Sequence, residues 1–152
     1  MIYLECYTDE ALVKALGIHK KEIYHSYGKS NVCKRLEKSR NSKGLVDEDP
    51  GRTQPPYIGK MITKSNENDL KLLYDNDANN HLIVLGPKLE DWILKSAKEV
   101  GVNMQDYSLP DDADELHKAI ATKNPPKEFV HLIENIKKRS KMLKALERLI
   151  RT

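Results

Sequence analysis

The 152 residues predict an α/β domain with a mostly parallel sheet flanked by helices, continued by a helical C-terminal extension. Three patterns point there. The first fifty residues alternate short apolar runs with helix-length spacers, and strands so separated pair in parallel through right-handed crossovers. The most strand-like run, His81-Leu82-Ile83-Val84-Leu85, is broken by Gly86-Pro87 and followed by an amphipathic stretch. Beyond residue 104 only helical patterns and helix breakers remain. The boundaries are therefore drawn at 1–104 for the α/β domain and 105–152 for an extension packing on it.

Ile2 to Cys6 reads as the first strand. Thr8 can cap the helix that follows, with Asp9 and Glu10 in the first turn, where the helix dipole favours negative charge. Ala11, Leu12, Ala15 and Leu16 form its apolar stripe and Gly17 ends it. Glu22 to Tyr27 is the second strand. Gly28 turns the chain, and Ser30 can cap a helix through Val32, Cys33 and Leu36. A polar connection from Ser39 to Gly44 leads to the third strand, Leu45 to Asp47. Arg52 to Pro56 is a loop, and Tyr57 to Ser65 holds a short irregular strand. Leu70 to Tyr74 is a strand, joined to His81–Leu85 by the polar turn Asp75–Asn80.

Leu89 to Val100 is a helix with Trp92, Ile93 and Ala97 on one face and Gly101 at its end. Pro110-Asp111-Asp112 opens another, where Asp112 and Glu115 can cap reciprocally. After Pro125-Pro126 a last helix runs from about Lys127 to Arg151, its stripe made of Phe129, Ile133, Ile136, Leu143, Leu146 and Ile150. This stripe packs on the domain or on a second copy of it, so a homodimer and a separate partner chain are both open. Only Trp92 and Phe129 join the seven tyrosines, which leaves the core to Leu, Ile and Val.

Bulk composition narrows the function classes. A hydrophobic content of 39% and a charged content of 32% describe an ordinary polar globular chain. No stretch reaches the apolar length of a membrane helix, and the N-terminus lacks a signal peptide's basic start and apolar run. The expectation is a cytoplasmic protein with no membrane partner. Cys6 and Cys33 lack metal-ligand or redox spacing and read as reduced, buried thiols. His19, His25, His81, His117 and His131 show no zinc spacing with them or with one another. The net charge of +3 identifies no partner by itself, but residues 127–152 carry eight Lys or Arg against three Glu. An acidic site beside such a basic flank suits a polyanion handled through a metal, although a merely solvated basic face at Lys137, Lys138, Arg139 and Lys141 is the simpler reading.

The chemistry concentrates in Gly44-Leu45-Val46-Asp47-Glu48-Asp49-Pro50-Gly51, an apolar run ending in three carboxylates and a turn. In an extended chain Asp47 and Asp49 point the same way, about 6.5 Å apart. In a parallel sheet the carboxyl ends of the strands share one edge. Topology thus converges Glu5, Gly28-Lys29 and Asp47-Glu48-Asp49. Two or three carboxylates with waters and a substrate phosphate suit Mg²⁺, with Mn²⁺ as a substitute. A solvated acidic turn is the plain alternative. Gly28-Lys29-Ser30 is not a P-loop, because Ile23 stands where the first glycine belongs. Lys29 and the free N–H groups at that helix start are candidates to hold a phosphate.

Glu5-Cys6-Tyr7-Thr8-Asp9, Gly28-Lys29 and Val46-Asp47-Glu48-Asp49-Pro50-Gly51 together resemble the Toprim signature, nearest to its OLD-type nuclease and small ribosomal-RNA maturase branches. The likeness covers roughly residues 1 to 100 and implies a Toprim-like, Rossmann-like sheet. It implies that Glu5, Asp47 and Asp49 bind Mg²⁺, that Asp9 is the further acid of the nuclease branches, and that Glu90, in Leu85-Gly86-Pro87-Lys88-Leu89-Glu90, adds another acidic residue. Glu5, Asp9, Asp47 and Asp49 are then the catalytic set, Glu5, Asp47, Asp49 and Glu90 the metal set, and Gly28 and Lys29 the phosphate contacts. The activity implied is Mg²⁺-dependent phosphodiester hydrolysis of DNA or RNA, with a non-catalytic metal- and nucleic-acid- or protein-binding module as the alternative. Cys6 departs from the glycine usual after the Glu, and no ATPase or zinc module accompanies the motifs, so a larger machine would need a separate chain.

Overall fold

The computed structural model describes all residues from Met1 to Thr152. Six strands form one sheet: β1 (Ile2–Leu4), β2 (Ile23–His25), β3 (Lys43–Asp47), β4 (Ile62–Glu67), β5 (Leu70–Asp75) and β6 (Asn80–Leu85). Their spatial order is β2-β1-β3-β6-β5-β4. β2, β1, β3 and β6 run parallel, while β5 and β4 fold back as antiparallel neighbours. The α/β class and the mostly parallel sheet read from the sequence are both present.

Seven α-helices accompany the sheet: α1 (Tyr7–Ala15), α2 (Lys29–Glu37), α3 (Pro56–Gly59), α4 (Leu89–Glu99), α5 (Ala113–Ile120), α6 (Lys127–Ile136) and α7 (Lys141–Arg151). Residues of β1, β3 and β6 alternate between two apolar layers. Ile2, Leu4, Leu45, Ile83 and Leu85 face the larger layer, which also holds Leu12, Trp92, Leu116, Phe129 and Leu146 from α1 and α4–α7. Val46, Leu82 and Val84 face the smaller one, shared with Val32, Cys33 and Leu36 of α2 and Tyr57 of α3. Residues 105–152 therefore contribute to the same core as the α/β part. No helix is long and apolar enough to cross a membrane.

Several local expectations are revised. β1 ends at Leu4 because the amides of Glu5 and Cys6 turn to the Asp9 carboxylate instead of continuing the ladder. That carboxylate makes Cys6, not Thr8, the residue preceding the first helical turn. Gly28, not Ser30, precedes α2, at φ +118°. The irregular strand expected within 57–65 is present as β4 from Ile62, slipping register between Thr63 and Ser65, but residues 56–59 before it form a helical turn. The single C-terminal helix is two: α6 stops at Ile136, a turn spans residues 137–139, and Ser140 caps α7, its Oγ accepting from Leu143 N–H at 3.1 Å and donating to Glu99 Oε1 at 2.7 Å. The apolar stripe continues across that break, and all six of its residues are buried on the domain itself.

Cys33 is buried and Cys6 partly so, and both are free thiols. Turns follow the local chemistry more closely. Asp75 Oδ1 accepts from the amides of Asp77 and Ala78, and Asp112 Oδ2 from that of Glu115.

One glycine sets how closely α2 seats on the sheet. A Cβ on Gly44 would lie 2.8 Å from Val32 Cγ1 and 2.9 Å from Leu82 Cδ1. Gly44→Ala should therefore lower stability by about 1–3 kcal/mol through overpacking, read as an earlier urea midpoint. An unchanged midpoint would mean the helix does not lie this close.

Candidate functional site

The connection β1–α1–β2 leaves β1 in one direction, whereas α2 carries the chain back past β1 to β3 on its other side. α1 packs in the larger apolar layer and α2 in the smaller, so the two helices cover opposite faces. The strand order reverses between β1 and β3. Such a switch point is where open α/β sheets bind ligands.

Glu5 leaves the end of β1 and Asp47 ends β3. Glu5 points at its neighbour: its Oε2 accepts from the Asp47 amide at 3.1 Å. Asp47 Oδ1 in turn accepts from Leu89 N–H at 3.0 Å, one of the free amides opening α4. Glu90, the next residue, is 5% exposed; its Oε1 meets His117 Nδ1 of α5 at 2.7 Å and its Oε2 is buried with no partner. Asp9 is buried behind Glu5, with Oδ2 holding the Glu5 and Cys6 amides at 3.1 and 3.0 Å and Oδ1 without a partner.

Asp49 differs from the sequence expectation. The strand stops at Asp47, and Asp49 turns at φ +47°, its amide held by the Pro87 carbonyl. The two aspartates are thus not successive same-face residues of one extended strand. Asp49 still acts on its neighbours, adding to the repulsion felt by both Glu5 and Asp47. Gly28 and Lys29 open α2, the Gly28 amide bonds the Glu5 carbonyl at 2.9 Å, and Lys29 Nζ donates to the Glu48 carbonyl at 2.9 Å.

Electrostatics at this edge is one-sided. Burial, then the charges of Asp9, Glu5, Glu90 and Asp49, hold the Asp47 carboxyl well above its ordinary value. Burial and the Glu5 charge do the same to Asp9. Glu5 is raised chiefly by burial, with Lys29 pulling the other way. The Cys6 thiol is pushed up to about 12 by burial and by Asp9, so it stays protonated.

No three acidic, histidine or cysteine side chains stand preassembled as a metal-holding set. The donor chemistry nevertheless fits a hard divalent cation: oxygen ligands, excess negative charge and two buried oxygens without partners. A cleft of about 890 Å³ opens beside this edge, lined by Asp47, Asp49 and Glu90 and rimmed by Arg52, Lys88 and Lys118.

Two features escape sequence reading. α5 walls the cleft and supplies His117, whose pairing with Glu90 crosses 27 residues and leaves no spacing signal. The basic run at Lys137–Lys141 lies at the far end of the molecule. Lys137 Nζ binds the Ala15 carbonyl at the close of α1, and the Lys141 amide binds Glu99 at the close of α4. The run Lys137–Lys141 is therefore not beside the acidic edge.

No family model matches the chain, and no curated protein or solved structure is significantly similar to it. Fold and site define an α/β protein with an acidic, switch-point cleft.

Carboxyl groups raised in the folded state favour folding only while protonated. Their stabilisation is complete below the unfolded value near 4 and fades as pH rises toward the folded one. Metal-free protein should thus lose stability steadily from about pH 4 upward through neutrality. Asp47→Asn, which keeps the acceptor for Leu89, should raise metal-free stability by about 1–3 kcal/mol at about pH 8 and flatten this slope. Thermal melts across pH in EDTA check both; a wild-type curve that rises with pH would contradict the crowding.

Proposed function

We propose that the chain is a Toprim-type, Mg²⁺-dependent nuclease that hydrolyses phosphodiester bonds of DNA or RNA, with Mn²⁺ able to substitute. One observation carries the reading: Glu5, Asp9, Asp47, Asp49 and Glu90 crowd the β1/β3 switch point, with Asp9 Oδ1 and Glu90 Oε2 buried and unpartnered. Burying like charges at one spot opposes folding unless a cation binds there. The metal set is Glu5, Asp47, Asp49 and Glu90. Bound by them, Mg²⁺ supplies a Lewis acid for a phosphate oxygen and a more acidic water.

The chain's own groups divide the remaining work. Asp9 is a positioning residue, because it fixes the backbone from which Glu5 projects. His117 fixes the rotamer of Glu90. Gly28 and Lys29 offer a helix amino terminus and an ammonium group to a phosphate. Arg52, Lys88 and Lys118 on the rim meet flanking phosphates without reading sequence.

A second reading has an observation of its own. Glu5 and Asp47 each spend one oxygen on a backbone amide, as structural carboxylates do. A non-catalytic module that binds metal and nucleic acid or a partner protein would look the same in this respect.

Mg²⁺ or Mn²⁺ should raise the melting temperature, more so at higher pH, because the metal must displace protons from the raised carboxyls. Wild-type protein should cut labelled DNA or RNA in Mg²⁺ or Mn²⁺. Asp47→Asn combined with Asp49→Asn should remove at least about a hundredfold of that rate while keeping the circular-dichroism spectrum. Binding without scission in every divalent metal would favour the module, and cleavage retained by the double variant would refute the assigned centre.

A further inference from the structure

Two tyrosines and a histidine stand beside the acidic edge with no part in the centre described above. Tyr7 opens α1 two residues after Glu5, His25 closes β2, and Tyr27 immediately precedes Gly28 and Lys29. The His25 and Tyr27 rings stack with centroids 4.0 Å apart and 16° between planes. Tyr7 meets His25 edge-on at 4.4 Å and Tyr27 edge-on at 6.4 Å. The inner face of Tyr27 therefore rests on imidazole, and with 69% of the residue exposed its outer face is open to solvent.

Packing does not explain this tyrosine. Its backbone sits at φ +59°, where bulky residues are rare and Asn or Gly is at ease. The conformation is held by Asn31, whose side-chain amide donates to the Tyr27 carbonyl at 2.9 Å. A strained backbone thus holds a large ring out in water. Lys29 lies two residues on, at the start of α2, and exposed Lys123 lines a cleft with Tyr7 and Glu10. Glu10 itself is bound to Lys14 at 2.7 Å.

We propose that Tyr27, backed by His25 and Tyr7, is a stacking platform for an unpaired base of single-stranded nucleic acid, whose backbone runs on past Lys29 to the acidic edge. An open aromatic face accepts any base, because every base has a π-face. Bases within a duplex are already stacked and cannot lie on the ring without being pulled out. The substrate class this names is single strands or frayed ends rather than closed duplex. The inference rests on the nuclease reading for the direction of the strand but not for the stack itself.

The test measures binding of short fluorescein-labelled DNA and RNA, single-stranded and duplex, in EDTA so that nothing is cut. Tyr27→Ala and Tyr27→Asn should weaken single-strand binding by roughly tenfold or more, Tyr27→Trp should preserve it, and duplex binding should change less. Tyr27→Asn should melt no lower than wild type, since Asn suits the backbone, so lost binding cannot be misfolding. The metal-induced melting shift should be unchanged in all three variants. Equal single-strand affinity in wild type, Tyr27→Ala and Tyr27→Asn overturns the platform and leaves the nuclease reading intact. So does a wild-type protein that binds and cuts duplex but not single strands. Tyr27-dependent single-strand binding with no cleavage in Mg²⁺ or Mn²⁺ upholds the platform and sinks the nuclease reading. A wild-type protein that binds neither form in EDTA overturns the platform, and the cleavage assay in Mg²⁺ or Mn²⁺ decides the nuclease reading separately.

Discussion

β1 sits between β2 and β3, and the chain reaches those two neighbours by helices on opposite faces. This arrangement brings the ends of β1 and β3 out side by side at one edge of the sheet. Glu5 and Asp47 occupy those two ends, so their proximity follows from strand order and needs no special loop. The bond from the Asp47 amide to Glu5 then locks the two ends together across the crevice. The acidic cluster, the opening of α2 and the first turn of α4 are all arranged around that junction.

The cost of the junction is electrostatic. Backbone amides at Asp47 and Leu89 stabilise charge on Glu5 and Asp47, and Lys29 helps Glu5, but burial and mutual repulsion outweigh them. Asp9 and Glu90 add charge from beneath and from the side while each keeps a buried oxygen without a donor. A large apolar layer offsets this: 28 buried residues run from β1 to the last turn of α7. The C-terminal helices serve both ends of the trade, because α5–α7 complete that layer and α5 also walls the cleft. Functional sites commonly hold strain that the rest of the fold supports.

Much of this architecture was legible in the residues. Apolar runs ending at Glu5 and Asp47, with helix-length spacers between, were sufficient for parallel pairing and for a shared edge. What escaped depends on contacts distant in sequence or on backbone turns without a glycine. The Lys137–Arg139 turn lies inside an unbroken apolar stripe, and Ser140 shows its capping role only against Glu99. Asp49 and Tyr27 take left-handed backbone despite being neither Gly nor Asn. His117 reaches Glu90 only because α5 folds across α4. The basic run near Lys137 looked like a neighbour of the acidic edge from charge alone, but helix direction carries it to the opposite end.

The sheet has two open borders, and each is guarded differently. β2 is three residues long, too short to template another strand. β4 is longer but slips register between Thr63 and Ser65, and its side chains are mostly exposed and polar, with Lys64 among them. Bulges and edge lysines discourage strand addition and the aggregation that follows from it. Growth of the sheet from chain to chain is thereby blocked on both sides, which leaves helical faces, not strand borders, as the route to any second polypeptide.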